Sequence, residues 1–365
     1  MIREGKFGVQ EAMWLTTITI SSKVFYTSPG LVVSIVGNTG WYMTLISMAT
    51  AILGFTFIYL LLKRFPDKDI IAIFNDTMGG IMGFIFSGIL GLYLLFVATS
   101  TISEFNEVVK VYVFPLTPSV LIIALFALGV LVLCLLGLES LARFAKLSVY
   151  AMLFGFILIL LLGIHNYDIN RLFPILGYGF DKILVSGVVR SSSYGEVIIL
   201  AVFATSLQGV HHIKKAGYTS LIISGLSISV SLLAFNLSFP YYIGQEIVAP
   251  MYQMASLIDY GRFIQRVEPV FLFIWFLSSF IAVTGVFYCF VSIYCKMFRI
   301  QDIRPIVIGS VIILFAGAMI QSNIGVTASL NIQNIRQYGW IPPFILPLIS
   351  LVIGTLRKRG VKSCG

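Results

Sequence analysis

Long apolar runs separated by short polar stretches fill most of the chain. Runs of roughly 20 residues suit helices that cross a hydrocarbon core ~30 Å thick. The pattern predicts helices near 7–36, 41–62, 80–103, 118–137, 141–164, 183–210, 216–242, 267–297, 304–322 and 338–356. That is ten spans in a single transmembrane domain over 1–365, with one half over about 7–164 and the other over about 183–356. Two runs are too long for one straight crossing, and both are polar at the centre. The first, from Phe7 to about Val36, reads Ser21-Ser22-Lys23-Val24-Phe25-Tyr26-Thr27-Ser28-Pro29-Gly30 in the middle, and Pro29 can neither donate to the Phe25 carbonyl nor avoid clashing with it. The sixth, from about Ile183 to Val210, is interrupted by Arg190-Ser191-Ser192-Ser193-Tyr194-Gly195-Glu196. Backbone released from a helix at such depth has to line a cavity or pack inside protein.

The interrupted spans are first and sixth of ten, so each opens a set of five. Five is odd, and the two sets therefore run oppositely through the membrane. The expected fold is an all-α polytopic membrane protein built as an inverted 5+5 repeat, with a ligand near the midplane between discontinuous helices. Composition agrees: 58% of residues are hydrophobic and 11% charged, against about 25% charged in soluble domains. The net charge of +9 does not point to nucleic acid, because the cations fall in short loops on alternate sides. Sixteen lie on the side that holds Lys63, Arg143, Lys214 and Arg304, seven lie on the other, and Lys23 is within a span. The positive-inside rule then puts both termini in the cytoplasm. No charged leader with a short apolar region and a small-residue cleavage site opens the chain, so the first span is expected to stay in the mature protein.

Lys23 is about fourteen residues from either end of its run, roughly 20 Å along a helix, which is far for snorkelling to the interface. It could counter a ligand carboxylate, replace a coupling cation, pair with Glu196, or reach the interface on a shifted helix. Glu196 could cap the second half of the sixth span, bind a ligand amine or hydroxyl, or exchange a proton. Tyr93, Val97, Ser100, Thr101 and Glu104 share one helical face, as do Thr284, Tyr288 and Ser292. Either stripe serves as a pocket wall or only as helix packing. Arg266 and Glu268 stand where the eighth span enters the membrane, as a gate or a plain helix end. Residues 70–78 suggest a short interfacial helix, and the polar loop from Glu246 to Arg266 either caps a vestibule or simply connects.

Adjacent His211 and His212 diverge on a helix and make a poor metal pair, and Cys134, Cys289, Cys295 and Cys364 show no C-x-x-C spacing. No nucleotide-loop or hydrolase motif is present. No enzyme, cofactor or metal site is expected.

The segment Arg262-Phe263-Ile264-Gln265-Arg266-Val267-Glu268-Pro269-Val270-Phe271-Leu272-Phe273-Ile274-Trp275 adds a family signature. Together with Gly40-Trp41, Arg64-Phe65-Pro66 and Tyr194-Gly195-Glu196, it resembles the B subunit of GerA-type spore germination receptors, a branch of the amino acid, polyamine and organocation transporter superfamily. The resemblance covers essentially the whole chain. It implies a LeuT-like fold, a small nutrient (amino acid, sugar or nucleoside) in a central pocket, and assembly with an A subunit and a lipoprotein C subunit in the spore inner membrane. Carried over by motif position, the pocket falls on Ser22, Lys23 and Val24 in the first span and on Tyr194, Gly195 and Glu196 in the sixth. Tyr93 and Val97 of the third span and Thr284 and Tyr288 of the eighth complete it.

The first break departs from the family pattern. Members that look like amino-acid sensors carry small residues such as Gly-Ala-Gly there, whereas this chain has Ser22-Lys23-Val24. Less backbone freedom at that point argues against a free amino acid as ligand. Three functions follow: a nutrient receptor that signals to partner subunits, a proton-coupled secondary transporter of amino acids or related solutes, and a scaffold that binds no ligand.

Overall fold

In the computed structural model, which describes residues 5–26, 28–261, 267–322 and 334–357, the apolar runs are helices, and no strand occurs among the described residues. The first run forms α1 (Val9–Ser21) and α2 (Ser28–Val36), with a 3-10 turn over Ser22–Phe25 between them. Then come α3 (Gly40–Arg64), α4 (Ile70–Met78), α5 (Gly80–Tyr112), α6 (Ser119–Leu136) and α7 (Leu138–Leu162). The sixth run is α8 (Phe180–Val189), a 3-10 stretch over Arg190–Ile198, and α9 (Ile199–Val202). It is followed by α10 (Val210–Ser238), the short α11 (Tyr241–Gly244) and α12 (Pro250–Ser256), α13 (Glu268–Met297) and α14 (Arg304–Ser322). The last span, Asn334–Leu356, ends in α15 (Leu346–Leu356).

Nine segments among the described residues are long and apolar enough to cross a membrane, where the hydropathy pattern predicts ten. The difference lies at the start: α1 has 13 residues, and α2 continues through 37–39 into α3 as the stretch Ser28–Arg64. Two boundaries also move. Helix α5 runs to Tyr112 rather than 103, because Glu104 and Asn106 are buried in the bundle and do not face lipid. Helix α10 begins at Val210 rather than 216, so His211, His212, Lys214 and Lys215 form its first turns.

Helix α1 is central, packed on α7, α10 and α13, while α3 packs on α10 and α5 on α13. Its hydroxyls are satisfied within the helix: Thr16 donates to the Ala12 carbonyl at 2.9 Å, Thr17 to Met13 at 2.8 Å and Thr19 to Leu15 at 2.7 Å. Close helix approach rests on small residues. A Cβ on Gly217 of α10 would lie 1.9 Å from the Phe55 ring of α3.

Helix α4 forms where an interfacial helix is expected, capped by Asp69, whose carboxylate accepts from the Ala72 N–H at 2.8 Å. Its apolar side, with Ile70, Ile71, Ile73 and Phe74, is buried against α5 and α15. The polar loop after α10 is also structured: α12 buries Met251, Met254 and Ala255 and packs on α13 and on the turn after α1.

Candidate functional site

The two interruptions face each other. In a 3-10 turn the backbone bonds i to i+3 with poorer geometry than an α-helix, so side chains and carbonyls change direction where α1 stops. Lys23, in the turn over Ser22–Phe25, donates through Nζ to the Ser193 carbonyl and to the Glu196 carboxylate of the opposing 3-10 stretch. The side chains are 12% and 2% exposed, so the ion pair is buried. Of the uses open to Lys23, the geometry displays the pairing with Glu196. Glu196 lies inside the 3-10 stretch, and α-helical geometry resumes only at Ile199, so it does not begin the second helical half as expected.

The neighbours lock this arrangement. Tyr194 is buried and donates to the Thr44 carbonyl of α3 at 3.3 Å. Ser192 donates to the Arg336 carbonyl of the last span at 2.6 Å. Gly195 admits Tyr93 of α5, whose Oη would lie 2.9 Å from a Cβ at that position. Ser22 donates to the Thr19 carbonyl at 3.1 Å, and Val24 and Val97 are buried. A cavity of ≈ 30 Å³ is lined by Lys23, Val24, Ser28, Thr44, Ser193 and Tyr194 among others. One or two waters fill such a volume, and a nutrient does not fit without opening.

The eighth-span positions sit differently. Thr284 donates to the Phe280 carbonyl of its own helix at 2.7 Å, and Tyr288 packs its ring 5.9 Å from that of Phe203, beyond the sixth-span interruption. Glu268 is the first residue of α13, as a helix end requires. Arg266 lies outside the described residues. Trp275, which closes the segment Glu268–Trp275, meets Tyr26 edge to face at 5.9 Å and stacks on Phe105 at 4.6 Å, so that segment supports the end of the first interruption.

Three charged residues join the centre that the motif positions do not include. Glu104 is buried and near enough to attract Lys23, and Arg336 is near enough to repel it. Arg190 lines the central cavity. Arg190 carries a usable signal, a charge inside an apolar run, whereas Arg336 stands at the edge of its run and resembles an ordinary topology signal.

Both ends of the centre are tied shut. On one side, the Asn38 amide donates to the Arg171 carbonyl at 3.0 Å and the Phe173 carbonyl at 2.6 Å, while Asn236 donates to the Asn38 carbonyl at 2.7 Å. On the other, Lys296 of α13 pairs with Asp69 at 3.2 Å and donates to the Val202 carbonyl at 2.8 Å.

Comparison with known proteins agrees with this architecture. The family model described as "Spore germination protein" matches residues 10–325. Spore germination protein KB of Bacillus subtilis (strain 168) is 23% identical over 338 residues, covering 89% of this chain and 89% of that protein. Spore germination protein A2 of the same organism is 24% identical over 321 residues, covering 84% and 85%. Among solved structures, Mhp1, a nucleobase-cation-symport-1 family transporter in a closed conformation with bromovinylhydantoin bound, superposes with a TM-score of 0.68 at 14% identity, over 98% of this chain and 80% of that one. A Na+-coupled sialic acid symporter in a substrate-bound outward-open state gives 0.65 at 10% identity, over 94% and 80%. This chain is a multi-pass membrane protein of LeuT-like fold, a fold it shares with these two transporters.

Proposed function

This chain belongs to the spore germination protein family, and from that premise we propose that it is the B subunit of a germinant receptor, a nutrient sensor with a transporter's fold. The observation that carries the reading is the buried bridge from Lys23 to Ser193 and Glu196, which ties the two interruptions across the centre. A small nutrient that replaces those bonds favours an opened arrangement over the closed one, and its differential affinity sets how far the equilibrium moves. The pocket it enters is built on Ser22, Lys23, Val24, Tyr93, Val97, Tyr194, Gly195, Glu196, Thr284 and Tyr288. The opened state is passed to A and C subunits in the spore inner membrane, with both termini of this chain in the cytoplasm and the whole chain acting as one transmembrane domain.

The test is dipicolinate release from spores across a nutrient panel, comparing the native chain with Lys23→Ala and Glu196→Gln at matched protein levels. The reading expects lost release or an altered choice of nutrient. Unchanged germination in both variants would sink the sensing pocket. The second reading, a proton-coupled transporter, draws on the symporter fold. It requires saturable solute uptake by vesicles that hold this chain alone, driven by a pH gradient.

A further inference from the structure

A second cavity, of ≈ 350 Å³, is lined by Ile35 of α2, Val185, Ser186 and Val189 of α8, Arg190, and Arg336 and Gln337 of the last span. Its volume lies in the range of small-molecule sites, about 300–1,000 Å³. Arg190 and Arg336 are 6% and 7% exposed, and among the described residues neither forms an ion pair with a carboxylate. The Arg336 Nε is buried with no hydrogen-bond partner among the described residues. Two buried cations thus line one cavity, where Arg336 is near enough to repel Arg190. Such an arrangement is costly unless an opposite charge completes it. Glu196 is engaged by Lys23, and with Glu104 as the other buried carboxylate of the centre, the three cations Lys23, Arg190 and Arg336 still leave one formal positive charge unmatched.

We propose that Arg190 and Arg336 form an anion site, taking the carboxylate or phosphate of an amphiphilic ligand whose apolar part lies against Ile35, Val185 and Val189. Guanidinium forks match both oxyanions in a bidentate manner, and Ser186 and Gln337 add hydroxyl and amide donors at the rim. The site stands beside the Lys23–Glu196 bridge and does not depend on a nutrient entering there. Arg190 lines both cavities, so an anion held by it is felt at the centre. The anion comes either from a free solute or from a lipid headgroup.

The test uses the full chain in phosphatidylcholine nanodiscs at constant chloride. Its unfolding midpoint is followed against isovalerate and inorganic phosphate, and again in nanodiscs that contain phosphatidylglycerol. A saturable rise with a free anion identifies a solute site, and a rise with phosphatidylglycerol alone identifies a headgroup site. In either case Arg190→Gln and Arg336→Gln weaken half-saturation by about tenfold or more, the loss of one charge-assisted contact, while Lys214→Gln on the exposed start of α10 does not. Arg190→Lys and Arg336→Lys, which keep the charge but lose the fork, serve if the glutamine variants do not fold. No saturable response of the native chain to any of the three anions, or an equal response in the arginine variants, overturns the site.

Discussion

Lys23 and Glu196 are each costly alone in the centre of the bundle, and their contact, beside the Ser193 carbonyl that Lys23 also reaches, makes them tolerable. Removing one leaves the other buried and unpaired, at about 3–5 kcal/mol, whereas removing both leaves no orphan charge. Lys23→Met and Glu196→Gln should therefore each destabilise the purified chain more than the double substitution does. Denaturant unfolding of the four proteins in detergent checks this, and additive losses would mean that the two side chains do not depend on each other. Both charges are legible in the sequence because a charge inside an apolar run stands out, while their pairing is only one of the uses the sequence leaves open. Arg336 is not, because hydropathy cannot tell a cation that turns into the protein from one that stays in a loop. Thr284 shows the converse: a hydroxyl placed by spacing on a polar face is bonded to its own helix in this closed state.

At the scale of elements, Gly195 fixes how closely α5 and the last span approach the sixth-span interruption. A Cβ there would lie 2.9 Å from Tyr93 Oη and 2.9 Å from Pro343 Cγ, closer than packed atoms tolerate. Gly195→Ala should cost about 1–3 kcal/mol as an overpacked contact. Tyr93 Oη has no hydrogen-bond partner among the described residues, so Tyr93→Phe on its own should leave stability nearly unchanged and should restore part of the loss in the Gly195→Ala background. Thermal unfolding of the single and double variants decides, and no recovery would show that Pro343 alone sets the spacing. The helices themselves are readable from apolar runs, but their ends are not where buried polar residues extend them. The nine residues of α5 past 103 contain Glu104 and Asn106, which a lipid-facing reading excludes and a bundle interior accepts.

For the whole molecule, a centre that holds only ≈ 30 Å³ between two tied ends is a closed state, and function requires that one end open at a time. The Asn38 ties join α2–α3 to the loop before α8 and to the end of α10, and the Lys296 ties join α13 to the cap of α4 and to α9. Asn38→Ala removes buried hydrogen bonds worth about 1–3 kcal/mol, enough to raise the open population about tenfold. Ser28 lines the central cavity, so Ser28→Cys, in a chain whose four native cysteines have been replaced, reports access to the centre. With the termini cytoplasmic as proposed, a membrane-impermeant maleimide added outside should label that position about tenfold faster when Asn38→Ala is present. Asp69→Asn, which loosens only the opposite end, should leave the outside rate unchanged or slower. Equal acceleration by both substitutions would mean that the ends are not independent closures, and the bridge between Lys23 and Glu196 would then be the single element that holds the molecule shut.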